Sequence, residues 1–295
     1  MPLRQKPVPA LPPSLDLTGK TALVTGANRG LGFTTCQQYI EHGISKLILA
    51  VRSKESGETA RLTLIQEAAS RTRTSQPLEI VVRELDMESM NSVVALVDGL
   101  VAENVQVHMA VLNAGIRRFK WTIAAETGNE SVFQVNYLST AMLALLLLPI
   151  LTRTSEATGT RTFLTVVGSE LQASSPWNKK TIAPSSVFGA FNDEASFTGF
   201  ARYPDTKYLI FQFVHRLARE VDRAKVNVLV VGPGMVSTGF GKEDMALWML
   251  GPAKLLQIAY ARTPAQGARV ITYASSGLAG DAAHGELVAN MAVDQ

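Results

Sequence analysis

The sequence TGANRGLG at residues 25–32 lies between an apolar strand candidate, Thr21–Thr25, and a helix candidate, Leu31–His42. Glycines let the backbone turn tightly and approach a pyrophosphate, which then faces the free N–H groups at a helix start. Ordinary strand–helix connections also contain glycines. The order strand, glycine loop, helix is nevertheless the context that dinucleotide binding requires. This stretch therefore predicts a fold that binds a dinucleotide.

The rest of the chain alternates short apolar, β-branched runs with longer segments of helical period. Such alternation predicts right-handed βαβ units and a doubly wound parallel sheet with helices on both faces. We therefore expect a single-domain α/β protein of the Rossmann type with about seven strands. The strand candidates are Thr21–Thr25, Leu47–Val51, Glu79–Arg83, Val107–Leu112, Thr162–Val167, Val226–Val231 and Glu286–Val288. The helix candidates are Leu31–His42, Glu58–Arg71, Ser89–Glu103, Ser131–Leu151, Tyr203–Val221 and Pro264–Ser275.

No interdomain linker breaks this rhythm, so we expect one domain over residues 17–295. Residues 1–16 are proline-rich and lack the apolar core of a secretory signal, which predicts an extended arm. Two stretches interrupt the rhythm, at 174–200 and 237–263. Both follow strand candidates and should lie over the carboxyl ends of the strands, where open parallel sheets bind ligands. We interpret them as an insertion and a substrate loop, with ordinary surface loops as the alternative.

Composition restricts the class of protein. Hydrophobic residues make up 46% of the chain and charged residues 18%, which is enough apolar material for a large core. The net charge of +3 comes without a basic run, so no nucleic-acid partner is predicted. The single cysteine, Cys36, excludes an internal disulfide and fits a reducing, cytoplasmic compartment. The four histidines lack the spacing of metal ligands, so no metal site is expected.

The most apolar run of the chain is Ala141–Leu151, which is broken by Pro149. A helix needs about 20 apolar residues to span a bilayer. The run therefore predicts a buried helix and no transmembrane segment.

The end of the second strand candidate carries an arginine where an acid is usual. Folds that prefer NAD place an acid there on the ribose hydroxyls, whereas this chain has Arg52, with Arg29 in the glycine loop on the same side. Two guanidinium groups hold a 2′-phosphate through charge-assisted bonds, so the pair favours NADP(H) over NAD(H). Solvated surface arginines are the alternative. After the third strand, Asp86-Met87 places a carboxylate that either accepts from the adenine amino group or caps the next helix.

Tyr203 and Lys207 stand at positions i and i+4 of a predicted helix, so they share one face. A free phenol titrates near ~10, and an ammonium group beside it favours the phenolate. The pair thus supplies a proton donor near neutral pH, although an ordinary helix face has the same spacing.

Further motifs occur in a fixed order. Asn113-Ala114-Gly115 ends the fourth strand candidate, and Val135-Asn136-Tyr137 lies in the long helix after it. Gly168-Ser169 ends the fifth strand candidate, and Pro233-Gly234-Met235-Val236-Ser237-Thr238 ends the sixth. With the glycine loop and the Tyr203–Lys207 pair, they make the chain resemble the short-chain dehydrogenase/reductase family over nearly its whole length. The resemblance implies an oxidoreductase in which Tyr203 donates a proton to a carbonyl and Ser169 orients the same oxygen. It also implies that Lys207 holds the nicotinamide ribose and lowers the tyrosine pKa, and that Asn136 kinks its helix and anchors a water linked to Lys207. With the residues above, the expected cofactor-binding set is Gly26, Asn28, Arg29, Gly30, Leu31, Gly32, Arg52, Asp86, Met87, Asn113, Ala114, Gly115, Tyr203, Lys207, Pro233, Gly234, Val236 and Thr238.

The separation of Ser169 from Tyr203 is longer than in compact members of the family, because the insertion lies between them. The insertion makes the chain look most similar to reductases of fungal secondary-metabolite pathways, and also to retinol-dehydrogenase-like members. This implies a bulky apolar ketone or aldehyde, of polyketide or terpenoid type, and a dimer or tetramer. The apolar candidates for its pocket are Phe188, Phe191, Phe197, Phe200, Trp248 and Met249.

Three alternatives remain open at this level. The first is a sensor or other non-redox protein that keeps the fold and the cofactor. The second is oxidation of an alcohol by the same site, as in retinol dehydrogenases. The third is an enzyme that takes its substrate from lipid surfaces through the apolar stretch Met245–Leu250.

Overall fold

The computed structural model describes residues 5–71, 77–179, 184–241, 244–245 and 247–294. Its centre is one sheet with the strand order β3-β2-β1-β4-β5-β6-β7-β8. Neighbouring strands run parallel except for the antiparallel pair β7–β8. The strands are β1 (Thr21–Thr25), β2 (Lys46–Val51), β3 (Glu79–Glu84), β4 (Met109–Leu112), β5 (Thr162–Val167), β6 (Val226–Gly232), β7 (Leu287–Ala289) and β8 (Ala292–Asp294).

The helices connect the parallel strands and pack on both faces of the sheet. They are α1 (Gly30–Glu41), α2 (Lys54–Arg71), α3 (Met90–Ala102), α4 (Ser131–Phe133), α5 (Thr140–Thr158), α6 (Pro184–Phe191), α7 (Arg202–Leu217), α8 (Leu247–Tyr260) and α9 (Pro264–Ser275). A π-helical turn, Gln134–Ser139, joins α4 to α5. The α/β doubly wound fold expected from the sequence is therefore confirmed.

The core has two layers, one on each face of the sheet. All residues of the central strands β1, β4 and β6 are buried, as expected for a parallel sheet covered on both sides. Cys36 lies fully buried in one layer, where burial raises the pKa of its thiol. A protonated, enclosed thiol of this kind is a structural residue and not a nucleophile.

The predicted strands and helices coincide with observed elements to within a few residues at most ends. The sequence did not predict β8, whose three residues follow a tight turn in which Asn290 and Met291 have positive φ angles. It also did not predict α6 and α8, which lie inside the two interruptions at 174–200 and 237–263. α6 begins at Pro184 and contains Gly189, and α8 contains Gly251 and Pro252. Glycine and proline are typical of loops, so pattern analysis did not recognise these segments as helices.

The long apolar helix differs from its prediction in length. Among the described residues, the continuous helical stretch Ser131–Thr158 is long and apolar enough to cross a membrane by those two criteria alone. The apolar run Ala141–Leu151 is only part of it, so length does not exclude a span. Of its most apolar window, 56% is buried inside the protein, which is typical of a core helix.

The strand order reverses between the neighbouring strands β1 and β4: β2 and β3 lie on one side of this pair, and β5 to β8 lie on the other. Such a switch point leaves a crevice at the carboxyl ends of the neighbouring strands. Here the glycine loop follows β1, Asn113-Ala114-Gly115 follows β4, Ser169 follows β5 and Pro233 follows β6. The sheet thus brings the separate sequence motifs to one edge.

Candidate functional site

The side chains of Tyr203 and Ser169 are close enough for the Ser169 hydroxyl to act on the phenol and oppose the rise in its pKa. Tyr203 stands in the first turn of α7, and Pro204 follows it, where a proline is tolerated. Ser169 lies directly after β5 and caps a short 3-10 turn, because its Oγ accepts from the Leu171 amide at 3.2 Å. The insertion between the two residues therefore does not keep them apart.

Lys207 lies one turn further along α7 and is only 4% exposed. Its Nζ donates to the carbonyl of Val167 at 2.7 Å and lies 5.6 Å from the centre of the Tyr203 ring. A Cβ placed on Gly115 would lie 3.7 Å from this Nζ, so the strand-end loop after β4 passes directly beside the lysine. The expected triad of hydroxyl, phenol and cation is thus assembled at the crevice.

Asn136 lies in the π-helical turn between α4 and α5, which is the helix irregularity that the sequence resemblance implied. Its side chain holds the loop after β4: Oδ1 accepts from the Ile116 amide at 2.8 Å, and Nδ2 donates to the Ile116 carbonyl at 2.9 Å. Nδ2 also donates to Thr206 Oγ1 at 3.1 Å, next to Lys207. The buried amide therefore fixes the loop that passes beside the lysine.

The pKa values differ from the expected pattern. Burial raises the pKa of Tyr203 to about 12, while the Ser169 hydroxyl and the charge of Arg117 oppose the shift. Burial also lowers the pKa of Lys207 to about 8. The expectation that Lys207 lowers the tyrosine pKa is not met here, because desolvation is the largest effect on both groups and disfavours the charged form of each.

Arg117 is a site residue that the sequence analysis missed. Its guanidinium carbon lies 5.7 Å from the centre of the Tyr203 ring and 5.0 Å from that of Phe119. Burial lowers the pKa of Arg117, and within the described residues its Nε atom has no hydrogen-bond partner. The only sequence signal was its position, two residues after the Asn113-Ala114-Gly115 motif. Arg117 adds a second cation beside the tyrosine.

The start of α7 is anchored by buried polar groups. Arg202, directly before Tyr203, lies 3.6 Å from the carboxylate of Glu130, and both side chains are almost completely buried. The same carboxylate caps α4 by accepting from the amides of Val132 and Phe133. These contacts fix the position from which Tyr203 projects, since a buried pair of charges is held in one geometry.

The glycine loop packs closely against the start of α1. A Cβ on Gly32 would lie 2.5 Å from the Gly26 carbonyl and 2.6 Å from Asn113 Nδ2, so only glycine fits there. Asn113 Nδ2 donates to the Thr25 carbonyl at 2.9 Å, and Thr25 Oγ1 accepts from the Ala114 amide at 2.8 Å. The loop is therefore tied to the strand end after β4.

The amino terminus of α1 has the features of a phosphate site. Arg29 stands at its N-cap position in extended conformation, and no side chain caps the helix there. The first N–H groups of a helix lack intrahelical partners, and the helix dipole favours an anion beside them. The uncapped helix start and the close backbone approach at Gly32 together fit the pyrophosphate of a dinucleotide.

A cleft of about 470 Å³ lies beside the glycine loop, at the start of α2. Arg29, Asn28, Ser53 and Ser56 contribute to its lining, and Asn28 Nδ2 donates to Ser56 Oγ at 3.1 Å. Glu55 lines the same cleft, so an acid is present that the strand-end pattern did not reveal. Arg52 is exposed at the end of β2 next to Ser53 and is not among the lining residues.

Asp86 and Met87 follow β3, and Met87 is buried. The suggestion that Asp86 caps the next helix is wrong: Ser89 is the N-cap of α3, and its side chain accepts from the Ser92 amide. Asp86 instead accepts from the Glu88 amide at 2.9 Å. Its expected contact with adenine stays a prediction.

The loop after β6 contacts two other parts of the crevice. Thr238 Cγ2 lies 3.9 Å from where a Cβ on Gly30 would be, and the side chains of Val236 and Leu31 both approach Gly267. Glu170, next to Ser169, packs against Gly232 at the start of this loop. The residues 233–238 therefore bridge the glycine loop and the serine.

The apolar candidates for the substrate pocket divide into two groups. Phe191 is 1% exposed and packs on Phe133 and Trp177, so it fastens the insertion to the body of the protein. Phe200 is exposed at the mouth and contacts Phe119 edge-on. The other two described candidates contact the aromatic residues next to these: Phe188 packs on Phe133 and Phe197 on Trp121. The side chains of Trp248 and Met249 lie outside the described part of the structure.

Phe240 belongs to the substrate loop and packs edge-on against the Tyr203 ring, with 5.5 Å between ring centres. Asp244 in the same loop accepts from the amides of Phe119 and Lys120. The loop therefore packs against the tyrosine and is fastened to the segment that carries Arg117. Its interpretation as a wall of the substrate pocket stays a prediction.

Comparison with known proteins gives the same picture. The family model described as short chain dehydrogenase matches residues 20–162. A short chain dehydrogenase of Arthrobotrys oligospora is 36% identical over 272 residues, covering 91% of this chain and 82% of the relative. The short chain dehydrogenase opdN of Penicillium oxalicum is 38% identical over 294 residues, covering 96% and 90% of the two chains. The short chain dehydrogenase yanD of Aspergillus niger is 34% identical over 291 residues, covering 98% and 87%.

Solved structures share the fold at lower identity. The RhlG/NADP active-site complex of Pseudomonas aeruginosa superposes with a TM-score of 0.65 at 21% identity, covering 95% of this chain and 97% of that one. An alcohol dehydrogenase from Thermococcus sibiricus, complexed with 5-hydroxy-NADP, gives a TM-score of 0.60 at 22% identity over 86% and 88% of the chains. The sequence relatives, the family match and the motif order agree, and the chain belongs to the short-chain dehydrogenase/reductase family.

Proposed function

We propose that this protein is an NADPH-dependent carbonyl reductase in which Tyr203 protonates the oxygen of a ketone or aldehyde. The observation that carries the proposal is the proximity of the Tyr203 phenol to the Ser169 hydroxyl, with the buried Lys207 ammonium on the next turn of the same helix. Family membership supports an oxidoreductase. A sensor that only bound the cofactor would not require a phenol, a hydroxyl and a cation in this arrangement.

The nicotinamide supplies the hydride when the cofactor is bound. The chain's own residues manage the carbonyl oxygen, on which negative charge develops as the carbon is reduced. Ser169 and Tyr203 present hydroxyl groups to that oxygen and stabilise the charge where it appears. Tyr203 then gives up its proton. The high pKa of the Tyr203 phenol makes it a weak acid at rest, and the positive charge of Arg117 favours release of its proton.

The preference for NADPH rests on Arg29 and Arg52. Arg29 lines the cleft beside the glycine loop, and Arg52 follows β2 at its rim, where their charges attract a 2′-phosphate. Glu55 in the same cleft carries a negative charge, which repels a 2′-phosphate and therefore favours NADH. The two arginines outnumber it, which is why we favour NADPH.

The substrate is proposed to be a bulky, largely apolar metabolite of the polyketide or terpenoid kind. Two substantially exposed aromatic side chains lie near Tyr203: Phe240 packs on the Tyr203 ring, and Phe200 packs on Phe119. The relatives are fungal short chain dehydrogenases, and the proposed role is in secondary metabolism. Oxidation of the corresponding alcohol uses the same groups in reverse, so the direction depends on the cofactor pool.

The test is a spectrophotometric assay that follows loss of NADPH across a panel of aromatic and alicyclic ketones and aldehydes. We expect turnover that depends on the substrate and is faster with NADPH than with NADH. Tight binding of NADPH without turnover of any carbonyl or alcohol would favour the sensor. No binding of either nucleotide would refute the proposed function altogether.

A further inference from the structure

The side chain of Gln5, in the amino-terminal arm, is bonded to the loop after β6. Its Oε1 accepts from the Met235 amide at 2.9 Å, and its Nε2 donates to the Met235 carbonyl at 2.9 Å. Nε2 also donates to the carbonyl of Tyr260 at 2.7 Å. The side-chain amide of Gln5 therefore bonds both the N–H and the C=O of Met235, and it links Met235 to the end of α8.

Arg262 fastens the same loop from the other side and is 5% exposed. Its Nη1 donates to the Pro233 carbonyl at 2.9 Å, and its Nη2 donates to the Lys6 carbonyl at 2.9 Å and to the side chain of Asn290. Its backbone forms a parallel bridge to Val236. The guanidinium thus joins the arm, the loop after β6 and the turn before β8.

Gly234 lies between these two side chains and has a φ angle of +79°. A Cβ there would lie 2.1 Å from Gln5 Oε1 and 2.6 Å from Arg262 Nη1, so the close approach requires glycine. Three residues after Gln5 in the arm, Val8 is buried in the core. The arm is therefore seated by an apolar anchor as well as by hydrogen bonds.

We propose that arm residues 5–8 form a strap that positions the nicotinamide half of the cofactor, with Gln5 and Arg262 as its positioning residues. The inference rests on the proposed function, since the loop 233–238 is the segment expected to hold the nicotinamide amide. This loop contacts the glycine loop through Thr238, and Gly232, the residue of β6 directly before the loop, packs against Glu170 of the serine turn. A strap on its outer side holds it in the binding geometry before the cofactor arrives, which lowers the ordering cost of binding.

The sharpest variant is Gln5→Glu, which keeps the size of the side chain. It replaces the donating NH₂ group by a carboxylate oxygen that faces the carbonyls of Met235 and Tyr260, so the bidentate pairing fails. We expect NADP⁺ to bind about tenfold more weakly, which corresponds to loss of one to two hydrogen bonds. Adenosine 2′,5′-bisphosphate occupies only the other half of the site, and its affinity should stay within about twofold of the parent.

Both affinities are measured by isothermal titration calorimetry on the full chain, and NADPH fluorescence reports the nicotinamide directly. Lys6→Ala is the matched control: its side chain is exposed and only its backbone carbonyl is used. Arg262→Lys keeps the charge but removes the guanidinium group that donates to the carbonyls of both Pro233 and Lys6. It should therefore weaken NADP⁺ binding as Gln5→Glu does.

The outcomes separate the two proposals. A parent protein that binds neither nucleotide refutes the proposed function. A parent that binds NADP⁺, with Gln5→Glu and Arg262→Lys unchanged, refutes the strap alone. If the variants bound NADP⁺ and adenosine 2′,5′-bisphosphate more weakly by the same factor, the strap would also be refuted. An equal loss of affinity for both ligands reflects general destabilisation of the protein.

Discussion

The two ends of the cofactor crevice are built in different ways. At the chemical end, Asn136 and Lys207 are 1% and 4% exposed, and each is bonded to backbone groups of neighbouring strands or loops. At the end proposed to hold the adenosine, a cleft of about 470 Å³ is lined mostly by polar side chains, and charges of both signs stand in or beside it. Arg52 there is exposed and Glu55 faces the same space.

The difference shows where the function is fixed and where it is adjustable. The groups at the chemical end are held by buried contacts, so a substitution there affects geometry as well as charge. The groups at the adenosine end act mainly through their charges in a hydrated cleft, so exchanging one of them should alter cofactor preference and leave the fold intact.

The largest effect is expected for Tyr203→Phe, which removes only the hydroxyl group. Reduction of the best ketone should slow by about 10³-fold, as is usual when a general acid is removed. The affinity for NADPH should change little, since the ring remains. Steady-state kinetics and NADPH titration measure the two quantities, and a rate within a few-fold of the parent would exclude Tyr203 as the proton donor.

The next effect concerns the anchor beneath Tyr203. Glu130→Ala leaves the buried Arg202 without its carboxylate and removes the cap of α4, which should lower the free energy of unfolding by about 3 kcal/mol. Glu220→Ala is the matched control, because it breaks an exposed ion pair with Arg216, which lies in the last turn of α7. That change should stay within about 0.5 kcal/mol. Denaturant unfolding measures both, and equal values would contradict the role of the buried pair.

At the adenosine end, Arg52→Asp should shift the ratio of kcat/KM for NADPH over NADH by about 30-fold towards NADH. It removes a cation from the 2′-phosphate and supplies an acid for the ribose hydroxyls. The unfolding temperature should be unchanged because the side chain is exposed. An unaltered preference would remove Arg52 from cofactor recognition.

Glu55→Gln is the opposite test in the same cleft and sharpens the comparison. Loss of its charge should favour NADPH by about threefold, as expected for one charge in a solvated site. If Arg52→Asp and Glu55→Gln moved the preference in the same direction, charge balance would not explain cofactor choice.

The smallest effect is expected for Arg117→Met. The charge of Arg117 lowers the pKa of Tyr203, so its removal raises that pKa further. Reduction requires the protonated phenol, and activity falls as pH rises through its pKa. The alkaline limb of the pH–rate profile should therefore move to higher pH, by roughly 0.3 pH unit. Lys120→Met removes an exposed cation nearby and should leave the profile unchanged.

The sequence predicted most of what depends on local pattern. The strand–loop–helix order, the strand-end motifs and the Tyr203–Lys207 spacing are local, and parallel strands bring their carboxyl ends to one edge. Arg117, Glu55 and Gln5 act through neighbours far away in sequence, and nothing in their local context marks them. The pKa of Tyr203 also escaped prediction because it depends on how much water the folded loops exclude.

The sequestered sulfur of Cys36 has a practical consequence for studying the strap. No other cysteine occurs in the chain. Thiol-reactive dyes should leave the native protein unlabelled, because both enclosure and protonation suppress attack. A single reporter introduced by Lys6→Cys would then follow detachment of the arm in real time, without first removing any native side chain.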